Sequence, residues 1–297
     1  KQINAADPAN KPTEGDGTEQ SPYQITNAEE LEWFRDTVNS GTTDIHARLL
    51  HDIDLKNVSW EPIGTQEHPY TGTFDGNAYT IKNFRLGDHT KQDPISEKGL
   101  FGWIESGGTI QDVVVKVQSI GSATNPNNFN ITKCGLIAAY NAGTIRRCSV
   151  MVDYTLYVAG EIGVIAYQNS GIIENCLSAV GTGTGAQKFP GRIPDDASAA
   201  GIAYENSGTI KNCLFGGTLR TDGGTGNSYT AKDYAIASSG GTNTNCYYYH
   251  SKPRVGDAIY EDELYKDGDK STVISKTQNE MGTGEVTWLL NQNGKND

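Results

Sequence analysis

The residues that could catalyse a reaction are few and do not form a recognisable catalytic arrangement. Asp195 and Asp196 lie beside Arg192 in a long insert, and they are the best candidates for carboxyl groups acting on a sugar. Glycoside hydrolysis needs two carboxyl groups about 5 to 9.5 Å apart. Because adjacent loop residues rarely provide that geometry, solvated loop charge is the favoured interpretation. We therefore predict no catalytic residue and keep these three residues as candidate ligand contacts.

A run of tyrosines gives a second candidate site. Tyr247, Tyr248 and Tyr249 follow Cys246, and strand alternation sends Tyr248 inward together with Cys246. Tyr247 and Tyr249 then face outward about 7 Å apart, where their rings could stack on sugars or on a protein partner. We predict that Tyr247 and Tyr249 contact the ligand.

Two further tyrosines share one position of an internal repeat. Tyr167 and Tyr204 both precede an Asn-x-Gly turn, and Tyr140 lies one residue nearer its own turn. A structural stack of rings is the favoured interpretation.

The cysteines predict buried packing rather than metal binding. Four of the five occupy one repeat position: Cys148, Cys176, Cys213 and Cys246. Stacked strands would hold their Cβ atoms about 4.8 Å apart, whereas a disulfide prefers about 3.8 Å. The five histidines are scattered and no Cys-x-x-Cys spacing occurs. We therefore expect reduced thiols in the core, no metal and no cofactor, and we leave Cys134 open.

All these residues belong to a repeat in the middle of the chain. A Thr-Ile or Ile-Ile pair is followed three residues later by an apolar residue, with 28 to 37 residues between units. Residues three apart in a strand cannot both face inward unless the chain bends between them. The Asn or Asp before the apolar residue tolerates the left-handed backbone of such a corner. We expect one inward column of isoleucines: Ile81, Ile110, Ile145, Ile173 and Ile210.

Short strands between fixed turns predict an all-β chain folded as a parallel β-helix, with a β-propeller as the second choice because its blades are longer. Leu31, Phe34 and Val38 follow a capping sequence at helical spacing, which predicts an N-terminal capping helix. A short C-terminal helix is predicted from Thr283. The expected organisation is a disordered linker (1–20), the helix cap with first strands (21–55), the repeats (56–272), and a C-terminal helix and tail (273–297) that could lead to a further domain.

Several motifs resemble one known family. They are Gly99-Leu100-Phe101-Gly102, the Asn-x-Gly-Thr-Ile-x-x-Cys units, Trp60-Glu61-Pro62-Ile63-Gly64 and Gly72-Thr73-Phe74-Asp75-Gly76-Asn77. Together they resemble the GLUG-motif repeat proteins, which are secreted or surface-attached bacterial proteins, over roughly Ser21 to Asn291. The resemblance implies a right-handed parallel β-helix and carries no catalytic residues. The second glycine of the motif is Ala138 or Ala166 in later copies.

Charge and hydropathy narrow the function classes. The 297 residues include 24 Lys plus Arg and 36 Asp plus Glu, a formal net charge of -12. This balance disfavours nucleic acid and anionic membranes as partners. The longest apolar run, Gly135 to Tyr140, is far shorter than the roughly 18 residues of a membrane span, so no membrane insertion is expected.

These observations favour a secreted or cell-surface protein, extracellular or attached to an outer membrane. Its predicted role is non-catalytic binding or adhesion to a glycan or to a host or bacterial surface protein. The alternatives are a carbohydrate-active enzyme, either a polysaccharide lyase or a glycoside hydrolase, and a passive stalk.

Overall fold

The computed structural model describes residues 6–83, 85–86, 95–117, 131–152, 160–180, 198–217, 234–249, 273–276 and 278–291. Within these ranges, short strands from successive coils pair in parallel and in register. The fold is the predicted all-β parallel β-helix, with a helix at its N-terminal end and short helices near its C-terminal end.

Two eight-stranded sheets form most of the stack. Sheet 1 contains β1 (Tyr23–Ile25), β2 (Ala47–Leu49), β5 (Thr73–Asp75), β10 (Thr109–Gln111), β15 (Thr144–Arg146), β19 (Ile172–Glu174), β23 (Thr209–Lys211) and β25 (Thr242–Thr244). Sheet 2 contains β3 (Ile53–Asp54), β6 (Thr80–Lys82), β11 (Val114–Val117), β16 (Ser149–Val152), β20 (Leu177–Val180), β24 (Leu214–Gly217), β26 (Cys246–Tyr249) and β27 (Val273–Lys276).

Smaller sheets complete each coil. Sheet 3 contains β9 (Phe101–Ile104), β14 (Ala138–Asn141), β18 (Ala166–Asn169) and β22 (Ala203–Asn206). A three-stranded sheet contains β13 (Cys134–Gly135), β17 (Glu161–Gly163) and β21 (Ser198–Ala200). Two pairs remain, β4 (Ser59–Trp60) with β7 (Arg85–Leu86), and β8 (Ile95–Ser96) with β12 (Ile131–Thr132). The helices are a 3-10 turn (Pro8–Asn10), α1 (Ala28–Asn39), α2 (Gln278–Gly282) and α3 (Glu285–Asn291).

The predicted corners lie between sheets 1 and 2. The residue before each inward apolar residue has a left-handed backbone, as at Asp112 (φ 54°) and Asn175 (φ 55°). After the corner, Val113, Val115 and Val117 are fully buried, so alternate side chains of this strand face the core.

One corner has a residue type that the sequence argument did not anticipate. Arg147 is also left-handed (φ 51°). Its guanidinium donates two hydrogen bonds to the carboxylate of Asp112, the corner residue one coil earlier, at 2.8 and 2.7 Å.

The inward isoleucine column is confirmed except at its first member. Ile110 aligns with Ile145, Ile173 and Ile210 along sheet 1, but its partner in the preceding coil is Phe74. Ile81 aligns instead with Val115 in sheet 2. The prediction for Ile81 was wrong because the preceding coil turns its corner earlier, at the left-handed residues Asn77 and Ala78. Thr80-Ile81 therefore follows the corner rather than preceding it.

A ladder of buried asparagines runs beside this column. The side-chain amide of Asn141 donates to the Oδ1 atom of Asn169 (2.7 Å), Asn169 donates to Asn206 (2.8 Å), and Asn206 donates to Asn243 (3.0 Å). At the N-terminal end Asn141 aligns with Ile104, and its buried Oδ1 atom has no hydrogen-bond partner among the described residues. All members donate in the same direction.

Glycines beside the ladder are required by the close approach of coils. A Cβ atom at Gly143 would collide with the carbonyl oxygen of Gly108, and one at Gly171 would collide with that of Gly143. Gly208 meets Gly171 in the same way. These glycines thus allow the coils to stack at the turns.

Helix α1 covers the N-terminal end of the core, as predicted. Leu31, Phe34 and Val38 are buried. The Asn27 side chain accepts the N–H of Glu30, while the Glu30 carboxylate accepts the N–H of Thr26. This reciprocal arrangement satisfies backbone donors at the start of the helix.

The predicted disordered linker, 1–20, is ordered from residue 6 onward. The carbonyl of Glu14 accepts the N–H of Gln24, and that of Gly17 accepts the N–H of His46. The Lys11 ammonium lies 5.4 Å from the ring centroid of Tyr23. Backbone pairing with the first coil orders this polar segment, which composition alone does not reveal.

Candidate functional site: a tyrosine–glutamate face

A column of aromatic rings follows sheet 3 from coil to coil. Successive ring centroids are 4.6, 5.8, 6.0 and 6.1 Å apart, in the order Trp103, Tyr140, Tyr167, Tyr204 and Tyr234. Trp103, Tyr140 and Tyr234 are half-buried, and the other two are buried. Together with Glu97, Glu161 and Glu205, these five residues form what we call the tyrosine–glutamate face.

Strand alternation places the column outside the core. Ala166 and Ala203 belong to the main hydrophobic core, so the next residues, Tyr167 and Tyr204, point to the opposite side. These tyrosines form a separate small cluster with Ala200. Their rings stack almost in parallel, 10° apart, which confirms the predicted stack.

The tyrosine hydroxyls donate to carboxylates along the column. Tyr140 donates to Glu97 at 2.9 Å. Tyr167 is within hydrogen-bond distance of both Glu161 (3.4 Å) and Glu205 (3.3 Å). Tyr204 donates to the other oxygen of Glu161 at 3.2 Å. Two hydroxyl–carboxylate groups therefore lie on this side of the protein, the Tyr140–Glu97 pair and the cluster of Tyr167 and Tyr204 with Glu161 and Glu205.

Burial and the neighbouring carboxylates keep these phenols protonated. Burial, and next the hydrogen bond to Glu97, raise the pKa of Tyr140 above its usual value. Burial and the charges of Glu205 and Glu161 do the same for the pKa of Tyr167. Burial is the main cause that raises the pKa of Tyr204 to about 12. All three hydroxyls remain hydrogen-bond donors at neutral pH.

The three carboxylates have no cationic partner in the described part of the chain. Glu97, Glu161 and Glu205 form no ion pair there, and each is half-buried. Lys98, next to Glu97, instead pairs with Glu61 at 2.6 Å. The face therefore carries negative charge that hydroxyl groups solvate without neutralising it.

The sequence prediction missed this face, although one signal was present. Glu97 and Glu161 both stand two residues before the first glycine of a repeat motif, at Gly99 and Gly163. Because Glu97 and Glu161 share one repeat position, the sequence could have indicated that they lie on the same side of the stack. Glu205 has no such signal, because it aligns with Gln168 and Tyr140 along sheet 3.

The predicted outward tyrosine pair is only partly correct. Tyr248 is buried in the core, as expected, and Tyr249 is half-buried. Tyr247, however, is only 4% exposed, so the prediction that its ring is available for stacking was wrong. Its hydroxyl donates to Asn245, whose amide donates to the carbonyl of Leu289 in α3. Strand β27 and helix α3 pack beside this strand, which alternation alone does not foresee.

The other predicted ligand contacts, Arg192, Asp195 and Asp196, lie outside the described residues. So does Phe84, one of the repeat positions.

The cysteines pack as expected. All five are buried with free thiols. The Cys148 thiol contacts the carbonyls of Arg146 (3.3 Å) and Ile110 (3.7 Å), and its repeat equivalents make the same contacts. Burial raises the pKa of Cys134 to about 12. Burial also raises the pKa of Cys148 and Cys213 well above the usual value, so these three thiols are poor nucleophiles.

No cluster of three or more His, Cys, Asp or Glu side chains in the described ranges could hold a metal ion. No helix in those ranges has the length and apolar character needed to cross a membrane.

No family model matches the chain. Over 144 residues, 46% of the chain, it is 30% identical to a protein of Evansella cellulosilytica named "Putative Gly-rich membrane protein". Over 145 residues, 44% of the chain, it is 31% identical to "Halomucin" of Haloquadratum walsbyi. The matched segments are only 15% and 1% of those relatives' own lengths. The names of these two relatives, a membrane protein and a halomucin, suggest that the relatives are located at the cell surface or outside the cell.

The fold also occurs in a solved structure. The chain superposes on a "putative immunoglobulin A1 protease" from Bacteroides ovatus with a TM-score of 0.50 and 19% identity. The superposition covers 92% of this chain and 89% of the other. At this identity the likeness supports the β-helix fold alone.

Proposed function

We propose that this chain is a non-catalytic binding module of a secreted or cell-surface protein, and that the tyrosine–glutamate face binds a glycan. The observation that carries the proposal is the column of rings from Trp103 to Tyr234 beside three carboxylates that have no cationic partner among the described residues. A rigid stack of coils supports the column, so the groups are held in place before a ligand arrives.

The chemistry of the face suits a sugar. Carboxylates accept hydrogen bonds from sugar hydroxyls, and charge-assisted bonds of this kind are stronger than neutral ones. Half-exposed rings such as those of Trp103 and Tyr140 supply apolar contact, and their edges remain accessible where neighbouring rings cover their faces. A protein partner is the second ligand class, which the test below also covers.

One observation favours an enzyme as a second candidate function. Glu161 and Glu205 both contact the hydroxyl of Tyr167, so their carboxylates lie close together. Two nearby carboxyl groups are the chemical requirement for glycoside hydrolysis. We rank this candidate lower because both oxygens of Glu161 lie within hydrogen-bond distance of tyrosine hydroxyls, at 3.4 and 3.2 Å.

Retention and turnover should be measured together on a panel of polysaccharides, host glycans and surface proteins. We expect retention without product, and loss of retention in the double variant Trp103→Ala, Tyr140→Ala. The matched control is Trp288→Ala, since Trp288 is 56% exposed on α3, away from the face. Circular dichroism should establish that each variant is folded.

The possible outcomes separate the candidates. Product formation that Glu161→Gln abolishes would make the chain an enzyme. Retention lost in Tyr249→Ala, but kept in the Trp103 and Tyr140 double variant, would move the site to β26. Retention of a protein but of no glycan would change the ligand class.

A further inference from the structure

We propose that the tyrosine–glutamate face selects glycans that carry protonated amines, that is, polymers containing unacetylated amino sugars. This inference rests on the proposed function and specifies its ligand class. It is drawn from the hydrogen-bonding direction and the charge of the groups on the face.

The face presents mainly hydrogen-bond acceptors. The hydroxyl hydrogens of Tyr140, Tyr167 and Tyr204 point toward carboxylates, which leaves the phenol oxygens of Tyr140 and Tyr167 as acceptors. The phenol oxygen of Tyr204 already accepts a hydrogen bond from Ser198. Glu97 and Glu205 each have one oxygen within hydrogen-bond distance of a tyrosine hydroxyl, and the described residues give the other oxygen no hydrogen-bond donor. One donor beside the face is the hydroxyl of Ser198, which is already hydrogen-bonded to Tyr204. A ligand rich in donors complements such a surface.

The negative charge of the face also favours a ligand that is rich in hydrogen-bond donors. Three carboxylates follow the ring column, and none forms an ion pair in the described ranges. Lys133 lies next to Glu161 in the neighbouring coil, and its backbone N–H donates to the Glu161 carbonyl oxygen (2.6 Å), but its exposed side chain forms no ion pair with the described residues. Lys98 is already paired with Glu61. The net charge of the whole chain, -12, adds to the negative potential.

A sugar ammonium satisfies both requirements. It carries three N–H donors and no acceptor, as a lysine ammonium does. It pairs with carboxylates, and it is also attracted to the aromatic rings beside them. Acetylation removes the charge and two of the donors, so the same polymer in acetylated form should bind less tightly. Uronate or sulfated glycans bring like charges to the face and should be excluded.

The sharpest test compares two forms of one oligosaccharide. Binding of a glucosamine hexamer and of its fully N-acetylated counterpart should be measured by calorimetry, in buffer acidic enough to protonate the sugar amines. A uronate oligomer serves as the anionic probe. We expect the free amine form to bind at least about tenfold more tightly than the acetylated form, as the strength of charge-assisted hydrogen bonds suggests. We expect no binding of the uronate.

Two charge-matched variants exclude a nonspecific effect of net charge. Glu161→Gln with Glu205→Gln keeps groups that accept the tyrosine hydroxyls but removes two charges from the face. Asp44→Asn with Glu67→Gln removes two charges from exposed positions elsewhere. We expect the first pair to lose about tenfold in affinity for the amine form, and the second pair to keep wild-type affinity. Glu97→Gln, which affects only Tyr140, is the second variant if the first pair does not fold.

Equal binding of the two forms would overturn this inference while leaving the proposed glycan-binding function in place. The inference also fails if the Asp44 and Glu67 variant loses as much affinity as the face variant. If neither these oligosaccharides nor the wider panel is retained, the proposed function itself fails.

Discussion

Two regions of this β-helix differ in whether their charged side chains form ion pairs. Along sheet 1 the charged side chains neutralise one another between coils, as Arg48 does with Asp75 (3.6 Å) and Lys211 with Glu174 (2.7 Å). On the tyrosine–glutamate face, the carboxylates contact hydroxyls and have no cation among the described residues.

The difference separates structural charge from charge available to a ligand. In a stack of coils, residues at the same repeat position become neighbours, so opposite charges on successive coils pair without further arrangement. Carboxylates that stay without a cation in such a setting are therefore informative. We infer that sheet 1 contributes modestly to stability, whereas the tyrosine–glutamate face contributes to binding.

The largest expected effect is on the free energy of unfolding, and it comes from the buried isoleucine column of sheet 1. Ile173 is fully buried in the inward column of sheet 1. Ile173→Ala should lower the free energy of unfolding by about 2 to 5 kcal/mol, because the smaller side chain leaves a cavity. The matched control is Ile172→Ala, the same change at a neighbouring residue that is 39% exposed. Urea unfolding, with reaction of the ladder cysteines with a thiol reagent as a second probe, measures both.

Equal costs at positions 172 and 173 would contradict the assignment of the inward side. Rapid reaction of Cys148, Cys176 and Cys213 with the reagent in the native wild-type protein would contradict the buried cysteine ladder. Their reaction should begin only when the coils unfold.

A smaller effect concerns the stability of the protein at high pH, which should depend on the hydroxyl of Tyr204 on the tyrosine–glutamate face. The folded-state pKa of Tyr204 is raised from 10.0 to about 12, so the folded protein keeps this proton at a pH where the unfolded chain has lost it. Stability from this group is complete below about pH 10 and is lost as the pH rises toward 12. Tyr204→Phe should therefore show a shallower fall in urea midpoint over that interval. Identical pH profiles for the two proteins would show that Tyr204 is not perturbed by the face.

The smallest expected effect concerns the paired charges of sheet 1. Glu174→Gln removes the partner of Lys211, whose side chain is 45% exposed, so the loss should be no more than about 1 kcal/mol. Added salt should shrink this difference, because screening weakens exposed ion pairs. Glu161→Gln should cost no more stability than Glu174→Gln, since Glu161 forms no ion pair within the described ranges. A larger stability loss at Glu161 would indicate that the face is structural rather than a binding surface.

Local sequence rules predicted the repeating parts well. The corner at Asp112 and the helix around Phe34 each depend on neighbours in the sequence, so their patterns were sufficient. The position of Ile81 was wrong because one coil turns its corner at a different place, which shifts the register.

Contacts between distant segments could not be predicted in this way. Tyr247 is covered because β27 and α3 pack beside it, and this contact could not be predicted from the sequences of these two elements. The tyrosine–glutamate face likewise joins residues from different coils, such as Glu97 and Tyr140, which are 43 positions apart. Register between coils, rather than residue type, decides which of these side chains meet.

The asparagine ladder bears on how such a protein could change its length during evolution. Each amide donates toward the next coil in the same sense from Asn141 to Asn243, so every interior coil is equivalent to its neighbours. Duplication or deletion of one coil within this stretch of the gene would leave no additional amide unpaired. The N-terminal end of the ladder, where Asn141 aligns with Ile104, differs from the interior coils. There the Asn141 carbonyl oxygen already has no donor among the described residues. Gains and losses of coils should therefore accumulate between Asn141 and Asn243, and each would add or remove one step of the neighbouring aromatic column.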